Sequence, residues 1–122
     1  MLFVTADNCR SQLERLSQML VSSFPGSTIY QHTDLLHVLH DVLNHKVDAV
    51  LLGAETENSE TLDLMEKLHR QKPELPIFII SKTNSLYEKA VAAGAAGCFV
   101  LPDKEPSLLE AIRSAINKKQ VS

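Results

Sequence analysis

The sequence is short of what several large classes of protein require. Only two cysteines occur in 122 residues, Cys9 and Cys98, so no disulfide framework is implied and a reducing compartment fits. No apolar run approaches the roughly 18 residues that a membrane-spanning helix needs, so no membrane partner is expected. The opening MLFVTADN has no basic stretch and turns polar after Val4, so a signal peptide is not expected. An excess of one charge is also lacking. The formal net charge of −3 gives no electrostatic case for direct nucleic-acid binding. Glycines number four, and none builds a phosphate-cradling loop after the first apolar run. GxGxxG is absent, as is a nucleophile accompanied by a base and an orienting group. These absences argue against an enzyme and against any cofactor. What remains is ordinary soluble composition, 44% hydrophobic and 22% charged, expected of one cytoplasmic domain large enough to bury its own core.

What is present is a strict alternation of two periodicities. LFVT (2–5) is a short β-type run, and CRSQLERLSQMLVSSF then places Cys9, Leu13, Leu16 and Leu20 on one helical face. Asp7 or Asn8 suits the N-cap of that helix, and Pro25-Gly26 ends it. STIYQ (27–31) is a weaker strand, followed by LLHVLHDVLNHK as a helix capped by Thr33 or Asp34. DAVLLG (48–53) is continuously apolar, as expected of a strand covered on both faces. SETLDLMEKLHRQ, LPIFIIS (75–81), NSLYEKAVAAGA and GCFVL (97–101) continue the alternation, with Gly94 closing the fourth helix. Pro106 opens SLLEAIRSAINKK, whose final lysines complement the helix dipole. Five strand–helix units imply a parallel sheet with right-handed helical crossovers and helices on both faces. They are too few for a barrel. The expected fold is α/β, an open doubly wound sheet of order 2-1-3-4-5 in a three-layer sandwich. In such sheets function gathers beyond the carboxyl ends of the strands, here residues 6–8, 53–57, 81–84 and 101–104.

The residues at those positions carry a resemblance. FVTADN, VDAVLLGAE, PIFIISK and AAGAAGCFVLP, with the element lengths between them, resemble the receiver domain of response regulators over essentially the whole chain. The resemblance implies a flavodoxin-like fold and a role in two-component signalling. In that family the first strand ends in two acidic residues and the third in the phosphorylated aspartate. The fourth ends in Ser or Thr, and the fifth in Lys-Pro. Set against that pattern without gaps, this chain has Ala6 and Asp7, then Gly53, Ser81, and Leu101 before Pro102. The family's aromatic three residues before the lysine is replaced by Cys98. The apolar register entering the third helix is kept at Leu62 and Met65.

The substitutions have a chemical meaning. Aspartyl phosphorylation needs a carboxylate nucleophile, and glycine has none. It also needs a divalent cation among carboxylate oxygens and a fixed positive charge on the phosphoryl group. Ala6, Gly53 and Leu101 supply neither. Their joint presence is electrostatically consistent, since a buried lysine without carboxylates would be costly. The resulting expectation is a degenerate phosphorylation pocket at Ala6, Asp7, Gly53, Ser81 and Leu101, with Cys98 at the switch position. Such a domain acts by phosphorylation-independent contact with a protein partner or output domain. The face of the fourth helix, fifth strand and fifth helix is the expected surface, and a homodimer is a further option. The alternatives are a phosphoacceptor using a displaced carboxylate, Asp7, Glu55 or Glu57, or a cofactor-binding flavodoxin-like protein.

Three other features have plain readings. His37, His40 and Asp41 share one helical face, but zinc wants three or four convergent ligands, so a polar helix face is expected. Cys9 and Cys98 lie on apolar stripes and are expected in the core. Residues 1–118 form the receiver-like domain, and 119–122 are a polar tail or the start of a linker.

Overall fold

The apolar runs become five strands, of which the three central ones are buried on both faces. The computed structural model describes residues 1–7, 9–34, 36–54, 59–81, 87–100 and 104–121. Its elements are β1 (Leu2–Ala6), α1 (Arg10–Ser23), β2 (Thr28–His32), α2 (Leu36–Asn44) and β3 (Ala49–Ala54). They continue with α3 (Ser59–Gln71), β4 (Ile77–Ser81), α4 (Tyr87–Ala92), β5 (Gly97–Val100) and α5 (Glu105–Val121). The sheet has the order β2-β1-β3-β4-β5 and every pairing is parallel, as the alternation required. Central β3 pairs Val50 with Val4 on one side and Ile77 on the other.

Strand periodicity sorts the core into two layers. Val4, Val50, Leu52, Ile77 and Ile79 pack with Val38 and Val42 of α2, Met65 and Leu68 of α3, and Ala90 of α4. Phe3, Ala49, Leu51, Phe78 and Ile80 pack with Leu16, Met19 and Leu20 of α1 and Ile112 and Ile116 of α5. Each fully buried side chain of this size stabilises the fold by about 1.5–3 kcal/mol, which makes the sheet a rigid base for the residues at its carboxyl edge.

Several boundaries differ from the sequence reading. β4 starts at Ile77, so Leu75 is a buried loop residue whose N–H bonds the Lys72 carbonyl at 3.0 Å. α4 ends at Ala92, and Gly94 follows it with φ +108, where its N–H reaches the Val91 carbonyl. α5 takes Pro106 into its first turn, where a missing N–H is harmless, and runs to Val121, into the stretch read as a tail. The N-cap of α1 is Cys9, not Asp7 or Asn8, and it makes no side-chain cap bond.

Candidate functional site

The carboxyl edge is set by register. Ala6 ends β1 opposite Leu52 of β3 and His32 of β2, and it is fully buried. Gly53 lies one residue beyond, opposite Ile80 of β4, and Ser81 lies opposite Ala54 and Val100. Asp7 and Ser81 are both buried, at 9% and 3% exposure, so the polar residues of this edge face inwards.

Asp7 is held at both ends. Its N–H donates to the His32 carbonyl at 3.1 Å, continuing the β1–β2 ladder by one residue. Its Oδ1 accepts the Cys9 N–H at 2.8 Å, satisfying a backbone donor at the entry to α1. This is an Asx turn, so Asp7 supports the helix entry from two residues before the observed N-cap, Cys9. The other carboxylate oxygen lies over Gly53. A Cβ added at Gly53 would stand 3.0 Å from Asp7 Cβ and would overlap Asp7 Cγ and Oδ2 outright. The backbone at Gly53 has no positive φ, so it is space and not conformation that excludes a side chain there. Position 53 therefore does more than lack a carboxylate: the volume in which one would begin belongs to Asp7.

No family model matches the chain, and no curated protein does either. Solved structures do. A response regulator receiver domain from Clostridium thermocellum superposes with a TM-score of 0.84 at 18% identity, covering 98% of this chain and 97% of that one. A CheY-like receiver domain from Methanospirillum hungatei gives 0.80 at 22% identity, over 98% and 95% of the two chains. The signal receiver domain of an HD domain-containing protein from Pseudomonas fluorescens gives 0.80 at 22%, over 99% and 98%. The fold is the receiver fold.

Within that fold, the described residues of this edge do not make up a magnesium ligand set. Magnesium demands near-octahedral oxygen ligands, commonly with carboxylates among them. Ala6 and Gly53 bring no side-chain oxygen, and the Asp7 carboxylate is turned onto the Cys9 amide. Leu101, Glu55 and Glu57, the remaining pocket and displaced-carboxylate candidates, lie outside the described residues, as does Asn8.

Cys98 faces the α2–α3–α4 layer and packs against its core, half-buried, and burial pushes its thiol pKa up. A raised pKa makes it a protonated packing residue, not a ready nucleophile. Phe99 turns to the opposite layer, where its ring lies 6.3 Å from that of Phe78 and fills the space above Gly97. The aromatic of this strand is thus shifted by one residue and, with a two-residue period, onto the other face. Cys9, half-buried at the N-cap of α1, belongs to neither core layer, so its expected core placement is corrected.

The histidines do not converge. His40 turns to Asn44, at 3.3 Å, while Asp41 turns to His32. His37 stacks on His32 with ring centroids 5.6 Å apart and bonds Asp34 at 3.1 Å. Among the described residues no group of three or more His, Cys, Asp or Glu side chains is placed to hold a metal. His32 was missed in the sequence. Its contact with Asp41 joins β2 to α2, and its carbonyl receives Asp7, so it helps to fix the edge of the site. The signal was its position as the last residue of an edge strand next to β1. Among the described residues no helix is long and apolar enough to cross a membrane.

Proposed function

We propose that this chain is an atypical receiver-like signalling domain that works through protein–protein contact without aspartyl phosphorylation. The observation that carries this reading is the Asp7 carboxylate lying in the space above Gly53. Glycine offers no nucleophile, and the neighbouring carboxylate is engaged in a helix cap that phosphoryl transfer would have to break. Leu101 in the sequence, where the family has lysine, removes the fixed cation as well. The domain is a binding module, not an enzyme, and needs no cofactor.

The proposed contact surface is α4, β5 and α5. Tyr87 and Val91, one turn apart on α4, are 55% and 46% exposed, which supports an apolar docking patch. β5 is the edge strand of the sheet beside them. A similar structure, from Silicibacter pomeroyi, is a LuxR family DNA-binding response regulator with 19% identity to this chain. By analogy, residues 1–118 are the receiver-like domain and α5 leads towards a tail or a linker to an output domain. The chain itself makes no direct nucleic-acid contact, and pairing of two copies through the same face is a further use of it. The setting is the cytoplasm.

A second reading has one observation in its favour. Asp7 holds a carboxylate close to where the family's acceptor side chain would begin, so it is the leading candidate for a displaced phosphoacceptor. Titration with magnesium and beryllofluoride separates the two. Amide shifts around residues 6–7, 53–54 and 81 that stay unchanged support the proposal. Saturable shifts there that vanish in Asp7→Asn support the displaced acceptor.

A further inference from the structure

At the opposite edge of the sheet, between the α2–β3 turn and the α3–β4 loop, lies a cleft of about 370 Å³. Its floor is apolar and belongs to the core: Val42, Val47 and Leu75 are 1%, 6% and 7% exposed. Its lips are cationic. Lys46 stands on one and Lys72 on the other, both exposed, with Glu74 the single acidic residue of the lining. The lips are backed by turn hydrogen bonds, Val47 N–H to the His45 carbonyl at 3.1 Å and Leu75 N–H to the Lys72 carbonyl at 3.0 Å. The His45 ring is set edge-on against Tyr30 at 5.2 Å, which ties the first lip to β2.

This combination has the character of a small-molecule site. Such sites are pre-formed, apolar over most of their lining, carry few polar groups and enclose roughly 300–1,000 Å³. We infer that this cleft binds a small amphiphilic monoanion, an apolar ring or short chain bearing one carboxylate, sulfonate or phosphate ester. The apolar body lies on Pro73 and the exposed edges of Val47 and Leu75, and the anionic head is held between Lys46 and Lys72. Lys46 and Lys72 outnumber Glu74 among the charged side chains of the lining, which favours a single anionic group in direct contact with the two ammonium groups. The ends of α2 and α3 also reach this cleft, and their carbonyl ends attract the same lysines. The test therefore separates ligand binding from helix stabilisation.

The probe is anilinonaphthalene sulfonate, titrated into the whole chain and followed by amide chemical shifts. Its uncharged analogue phenylnaphthylamine serves as the comparison. The expected result is saturable shifts confined to residues 42–47 and 71–75, with the neutral analogue bound about tenfold more weakly. Lys46→Gln with Lys72→Gln should weaken the sulfonate about tenfold while leaving the affinity for the neutral analogue unchanged. Because both lysines are exposed, the variant should retain its fold, checked by thermal melting. Shifts scattered over the surface, or no saturation, would overturn the inference. So would equal sulfonate affinity in parent and double variant.

Discussion

Replacing Gly53 with alanine adds one methyl group where Asp7 stands, and the consequence follows from the geometry. The added Cβ overlaps Asp7 Cγ and Oδ2, and β3 is pinned on both sides, by β1 and β4, so the strand cannot retreat. The Asp7 side chain is the part able to move. Swinging it outwards breaks the bond to the Cys9 N–H. A hydrogen bond with a charged acceptor contributes about 1.5–3 kcal/mol, and loss of a helix cap costs about 1 kcal/mol in typical cases. Against this, exchanging glycine for alanine at a compatible backbone returns about 0.4–1 kcal/mol by restricting the unfolded chain. The net expectation is a loss of about 1–2 kcal/mol, a fall of roughly 4–8 °C in Tm for a chain of this size. A double-mutant cycle isolates the cause. In an Asp7→Ala background the overlap with Cγ and Oδ2 is gone and no cap remains to be lost, leaving only the 3.0 Å approach of the two Cβ atoms, so Gly53→Ala should cost much less there than in the parent. The expected coupling between the two sites is about 1–2 kcal/mol. Urea unfolding of the four proteins at neutral pH measures it. Additive effects, or a Gly53→Ala protein as stable as the parent, would refute the claim that Asp7 occupies the acceptor volume.

Other expectations are independent of that pair. Gly94→Ala should lower stability by about 1–3 kcal/mol, read from the urea midpoint, because φ is +108 and the new Cβ would lie 2.8 Å from His69 Cγ. Thr5 is fully buried with no hydrogen-bond partner for its hydroxyl among the described residues, so Thr5→Val should hold or raise stability by about 1 kcal/mol in a thermal melt. Burial raises the Cys98 pKa, so in alkali the unfolded chain ionises first and the folded state binds more protons. In a Cys9→Ser background the contribution of Cys98 should therefore be constant below the ordinary thiol range and decline as pH rises through it, a slope that Cys98→Ala removes. Tyr87→Ala with Val91→Ala should change stability by less than about 0.5 kcal/mol yet abolish partner capture or self-association through α4.

The fold was legible because every element carried its own period. Val50 and Leu52 alternate with Ala49 and Leu51 across β3, and the sequence shows them as one apolar run that only a doubly covered strand tolerates. Strand order followed from the crossovers. The strand-end positions of Ala6, Gly53 and Ser81 were legible too, the first and last closing β1 and β4 and Gly53 standing one residue before the end of β3. What occupies the site was not. The approach of Asp7 to Gly53 joins residues of different strands, and no spacing along the chain encodes it. The partners of His37 and Asp41 include His32, a residue of β2 that helical periodicity could not bring into view.

Intact mass after incubation with acetyl phosphate and magnesium tests the central claim most directly. An unchanged mass is the expected result for the parent chain, and equally for Gly53→Asp alone, in which Asp7 and the new carboxylate compete for one volume. A base-labile gain of one phosphoryl group on the parent chain, lost in Asp7→Asn, would contradict it.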